Sequence, residues 1–164
     1  MSELAALTGE DVYLVVADGT RAVCIERIEG KTPVRVMALD VGRSFPLHVG
    51  GGPVALLAAR ETELLPGVIA LWNLDTSGEE MFDESSLRER LEDVRQRGYS
   101  RSLEDVTPGI GALGAAIFDA RGTAVGALSV AGMLGSLLEH EEELAEALQV
   151  SAARISSRLG HQPR

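Results

Sequence analysis

The chain has 164 residues, 45% of them apolar, and a formal net charge of −10 from 25 acidic and 15 basic side chains. That length holds one domain with a real hydrophobic core. The charge opposes binding to nucleic acid or to an anionic membrane surface, both of which draw on clustered Lys and Arg, so the expected partners are small molecules or other protein chains. No apolar run approaches bilayer length, and the acidic start MSELAALTGED is no signal peptide. A single cysteine, Cys24, excludes an internal disulfide, and the cytosol is the expected compartment.

In chain order, residues 12–17 (VYLVVA) and Arg21–Ile28 (RAVCIERI) flank Asp18-Gly19 and read as an antiparallel hairpin. Residues 33–39 (PVRVMAL) are a third strand candidate. Three glycines, Gly50 to Gly52, then open a helix with Pro53 at its first position, and Pro66-Gly67 is expected to end it. Residues 74–82 are acidic and loop-like. SLRE at Ser86–Glu89 has a capping-box pattern, and Leu87, Leu91 and Val94 keep helical spacing up to Gly98. A short strand fits residues 99–102. Residues 110–119 and 124–130 form a second hairpin, rich in small side chains. A long helix over residues 137–159 closes the chain, with Leu144, Leu148, Ile155 and Leu159 on one stripe. Strands and helices are grouped rather than alternating, so the expected class is α+β with a mainly antiparallel sheet.

Little in this sequence supports catalysis. His48, His140 and His161 are isolated from each other and from Cys24, and no HxxxH, CxxC or HExxH spacing occurs, so no metal site or cofactor is expected. His48 is read as bonding a loop carbonyl, His140 as a solvated residue among acids, and Cys24 as a small buried thiol. GGGPV carries no Lys-Ser/Thr and is not a phosphate loop. GIGALG precedes a strand, where a dinucleotide motif would precede a helix. The triple glycine leaves two readings open. Its N–H groups could hold a small carboxylate at a helix start, or the glycines could serve only a tight turn and close packing.

Taken in order, RIEG (residues 27–30), VGRSFPLH (41–48), ALLA (55–58), LEDVRQRGYS (91–100), AAIFDARGTAVGALSVAG (115–132) and ISSRLG (155–160) resemble the effector-binding domain of IclR-type bacterial transcription regulators. The resemblance covers nearly the whole chain. It implies a GAF-like α+β fold, a curved antiparallel sheet with helices on both sides. It also implies a non-enzymatic role: binding a small metabolite, often a carboxylic acid, and assembling as a homo-dimer or tetramer. DNA would be read by a separate N-terminal winged helix-turn-helix that this chain lacks. Residues 1–10 would then be the end of a linker, 11–160 the effector-binding domain and 161–164 a tail, in an excised fragment or a stand-alone relative.

The resemblance also implies site residues. Gly51 and Gly52 would donate backbone N–H groups to a carboxylate, with Ser102, Ala112, Ser129 and Ala131 completing the pocket. Ser129 keeps the usual residue type. Relatives often carry an acid, a cysteine or polar residue, and a second serine where this chain has Ser102, Ala112 and Ala131. Pro53-Val54-Ala55 replaces the usual Gly-Lys-Ala. A pocket so changed is expected to take a less polar or bulkier ligand than the smallest oxo-acids, and Gly52→Val is expected to abolish binding while sparing the fold. The alternative is a degenerate domain without a ligand, acting as an oligomerisation or protein-interaction module.

Overall fold

The computed structural model describes residues 1–32, 40–75 and 83–162, without the side chains of 73–75. The strand expected over residues 33–39, and most of the loop expected over 74–82, lie outside the described residues. The described elements are α1 (Ser2–Thr8), β1 (Asp11–Asp18), β2 (Arg21–Ile28), β3 (Ser44–Pro46), α2 (Gly51–Ala59), α3 (Glu61–Asp75), α4 (Glu84–Arg97), β4 (Ser100–Leu103), β5 (Ile110–Phe118), β6 (Ala124–Met133), α5 (Leu134–Glu139) and α6 (Glu141–Arg158).

All six strands join one antiparallel sheet in the order β3-β2-β1-β6-β5-β4. Register shifts at Leu14/Val15 and Ile117/Phe118 add twist and curl the sheet. Because side chains alternate along a strand, the sheet supports two separate cores. One face buries Tyr13, Val15, Ala22, Cys24, Ala127 and Ala131 beneath α2, α3 and α4. The other buries Val12, Leu113, Ile117, Leu128 and Val130 beneath α1, α5 and α6. The expected GAF-like α+β architecture, with helices on both sides of a curved antiparallel sheet, is the one observed.

Several local expectations need correction. The helix that opens at the glycines breaks at Arg60, and Pro66 lies inside the following helix instead of ending it. The N-cap of α4 is Asp83, three residues before the expected Ser86; its Oδ1 accepts from the N–H groups of Ser85 and Ser86 at 3.0 and 3.2 Å. An aspartate at this position satisfies two orphan donors, so the helix starts earlier than the SLRE pattern suggests. The closing helix is two helices separated at His140, and Leu159 of its proposed stripe is exposed. Residues 1–10, read as linker, contain α1, whose Leu4 and Ala5 are buried in the second core. The carbonyl of Gly9 then accepts from the N–H groups of Lys31 and Thr32, tying the start of the chain to the sheet.

Candidate functional site

Strand pairing sets two cross-strand rows side by side on the α2 face. Ser100, Gly114, Ser129 and Tyr13 pair laterally across β4, β5, β6 and β1. Two residues along, Ser102, Ala112, Ala131 and Asp11 form the next row. The first row seats a helix and the second floors a cavity.

The seat explains the glycines. A methyl group at Gly114 would overlap the backbone C and O of Gly51, so α2 lies with its first turn directly on β5. A Cβ on Gly51 would stand 2.9 Å from Leu113 O and from Ser129 Oγ, and one on Gly52 would stand 2.9 Å from Val15 Cγ2. One serine holds the helix, and a second braces the strands beneath it. Ser100 Oγ donates to Gly51 O at 2.6 Å, and Ser129 Oγ donates to Leu113 O at 2.9 Å. Gly50, at φ 89, turns the chain into the helix from a conformation that other residues rarely adopt. This geometry bears on one expectation: a Cβ at Gly52 would press on the Val15 side chain, so a valine there strains the helix seat as well as the site.

Next to the seat lies a cavity of about 60 Å³. All six residues expected from the sequence line it: Gly51, Gly52, Ser102, Ala112, Ser129 and Ala131. The N–H groups of Gly51 and Gly52 belong to the first turn of α2 and have no intrahelical acceptor, and the helix dipole adds partial positive charge there. Among the described residues no Lys, Arg or His side chain lines the space. The serines differ. Ser129 has committed its proton to Leu113 O and offers only an acceptor, whereas Ser102 has no side-chain hydrogen bond among the described residues.

Sequence reasoning missed the remaining wall. Tyr13, Phe45, Val49, Val106 and Ile110 close the cavity from three segments far apart in the chain. The alternation of β1 placed Tyr13 on one face, but nothing in the sequence marked that face as the cavity side. Tyr13 is buried and donates to Asp11 Oδ2 at 3.2 Å; burial, and then the Asp11 charge, push its phenol pKa up, so it stays protonated. Asp11 also accepts from Gly30 N at 2.8 Å and pairs with Arg27 at 2.9 Å, while Arg27 reaches Asp40 at 2.8 Å. Arg27 therefore ties β1 and β2 to the segment leading into β3 and Phe45.

The histidines and the cysteine stand apart from the cavity. Among the described residues His48 bonds no loop carbonyl: its ring lies 4.1 Å from Trp72, centroid to centroid, and its buried Nδ1 has no hydrogen-bond partner there. Burial, reinforced by the Arg90 charge, lowers its pKa to about 4. His140 is exposed at the α5–α6 break, and His161 stacks on Phe118 with centroids 5.2 Å apart. Cys24 is buried, with a thiol pKa raised by burial. Among the described residues no group of three His, Cys, Asp or Glu side chains could hold a metal ion, and no helix is long and apolar enough to cross a membrane.

A curled antiparallel sheet clad by helices on both faces, with a cavity at a helix start, defines a GAF-like α+β domain. Residues 1–157 match the family described as bacterial transcriptional regulator IclR C-terminal. The chain belongs to the IclR family of bacterial transcriptional regulators and corresponds to its C-terminal domain. It is 32% identical to the HTH-type transcriptional repressor AllR of Salmonella paratyphi A over 99% of this chain and 60% of that protein. Identity to AllR of Escherichia coli K12 is also 32%, over 98% and 59%. In three dimensions it is similar to the Thermotoga maritima IclR, with a TM-score of 0.85 and 29% identity over 97% of this chain and 65% of that one. An IclR regulator from Alicyclobacillus acidocaldarius gives 0.83 and 26%, over 97% and 64%. The chain thus spans about 60% of the length of the curated relatives it matches. These relatives are transcriptional regulators, not enzymes.

Proposed function

We propose that this domain senses a small, weakly polar monocarboxylate. The carboxylate sits at the free N–H groups of Gly51 and Gly52, its chain lies over Ala112 and Ala131, and Ser102 supplies the one polar side-chain contact. The observation that carries this reading is the convergence of all six expected residues on one cavity. Its size refines the ligand: about 60 Å³ is well below the roughly 150 Å³ of an apolar cavity that takes up benzene. That argues against a bulkier ligand, while the apolar lining by Val106, Ile110, Ala112 and Ala131 argues for a less polar one. Binding acts on DNA through differential affinity for two conformations of the intact regulator, whose DNA reader lies in the part of the longer relatives that this chain does not span. The domain works in the cytoplasm as a homo-dimer or tetramer, a state that light scattering measures directly.

A thermal-shift series with glyoxylate, pyruvate, butyrate, 3-methylbutyrate and benzoate tests the ligand class. Butyrate at 100 times its dissociation constant should add about 2.7 kcal/mol of stability, with glyoxylate weaker and benzoate silent. Stabilisation by benzoate or by glyoxylate alone would reject this class. A flat response to every acid would favour a domain that has lost its ligand and serves as an assembly module.

A further inference from the structure

We propose that Arg90, which does not line the cavity, is a positioning residue that latches the two lips of the cavity mouth. One lip is the β3–α2 loop, which presents Val49 and Gly50; the other is the β4–β5 loop, which presents Val106. The lips meet: a Cβ on Gly50 would stand 3.8 Å from Val106 Cγ2.

The Arg90 guanidinium, projecting from α4, touches both lips and the sheet between them. Its Nη1 donates to the His48 carbonyl at 3.3 Å, on the first lip. Its Nη2 donates to the Arg101 carbonyl of β4 at 2.9 Å and forms an ion pair with Asp105 on the second lip. The planar fork serves three acceptors because its donors sit on two separated nitrogens, Nη1 toward one lip and Nη2 toward the strand and the other lip. The second lip is otherwise held by its own turn. Glu104 occupies the left-handed region at φ 64, its N–H donates to Ile110 O at 3.0 Å, and its Oε1 accepts from Gly109 N at 2.6 Å. A non-glycine residue holds that conformation only when its surroundings over-determine it, and the Arg90–Asp105 pair reaches the loop from outside. On the first lip, His48 is fixed from two sides, by Arg90 at its carbonyl and by Trp72 at its ring.

The consequence for ligand exchange rests on the cavity being the ligand site, but the latch itself is testable without any ligand. Hydrogen–deuterium exchange on the 164-residue chain should show amides of residues 48–52 and 104–107 exchanging roughly tenfold faster in Arg90→Met, the scale of a lost charge-assisted hydrogen bond. Protection at Leu91, Val94 and Leu148 should stay unchanged. Arg90→Lys should behave like Arg90→Met, because a single ammonium nitrogen cannot stand at both the Nη1 and Nη2 positions, and Asp105→Asn should loosen residues 104–107 alone. Trp72, the single tryptophan of the chain, should become more accessible to acrylamide in the Arg90 variants. Unchanged exchange at both lips, full rescue by Arg90→Lys, or loosening spread through α4 would overturn the latch. With butyrate as the probe, association and dissociation should both speed up in Arg90→Met while Kd stays within about threefold; a large Kd change at constant dissociation rate would make Arg90 a ligand contact and reject the proposal. Should wild type not bind butyrate at all, the ligand reading of the cavity would fail, and lip exchange would still decide the latch.

Discussion

On one face of β5 and β6 stand Leu113, Ile117, Leu128 and Val130; on the other, from the same strands, stand Ala112, Gly114, Ala127 and Ser129. The first face meets the side chains of α5 and α6 and fills its space with aliphatic groups. The second meets the backbone of α2 and has too little side-chain volume to fill what lies beyond the helix start. A cavity follows from that asymmetry. Residues small enough to admit a helix backbone in one row leave room for a ligand in the next.

The largest test of this division falls on the filled face. Leu148, fully buried on α6, should lose about 2–5 kcal/mol of stability as Leu148→Ala, measured by urea denaturation, while butyrate affinity of the folded protein stays the same. A fall in affinity beyond about threefold would mean that the two faces are energetically coupled.

A smaller loss is expected at the helix seat. Gly114→Ala forces a methyl group into the backbone of Gly51, and overpacking of this kind costs about 1–3 kcal/mol. Unlike Leu148→Ala, it should also remove acid binding, because α2 must lift from β5. Retained binding in a folded Gly114→Ala protein would separate the seat from the site.

Filling the open space should do the reverse. Ala131→Val adds volume to the cavity floor, so acid binding should drop at least roughly tenfold while stability stays within about 1 kcal/mol of wild type. Calorimetric titration and thermal melts read the two effects separately, and unaltered affinity would exclude Ala131 from the site.

The smallest effect concerns His48. Its folded pKa of about 4 lies below the ordinary 6.5, so the unfolded chain takes up this proton first. The stability it contributes is fully present above pH 6.5 and is lost as pH falls toward 4. Melts of wild type should therefore decline more steeply than those of His48→Gln across that window. Parallel curves would show that burial against Trp72 does not shift the imidazole.

Much of the architecture was legible because it rests on short-range pattern. Alternation marked β2 with its observed bounds, and turn chemistry marked both hairpins; Asp119, for instance, accepts from Arg121 and Thr123 in the second. Helix boundaries were less legible, since Arg60, Pro66 and His140 sit in stretches whose local composition does not distinguish a break from a continuation. The six candidate residues followed from likeness to a family; periodicity alone would not have singled out two alanines.

By itself, then, the sequence determined the class of fold, the alternation that sends large and small side chains to opposite faces, and the glycines that admit a helix start. Only the tertiary structure decided what those glycines touch, how Ser129 spends its proton, and which distant side chains close the cavity. The physical reason is range. Propensity and alternation act over a few residues, whereas Gly51 on Gly114, Tyr13 beside Ser129 and Arg90 between two loops are contacts that exist only after the sheet has brought distant segments together.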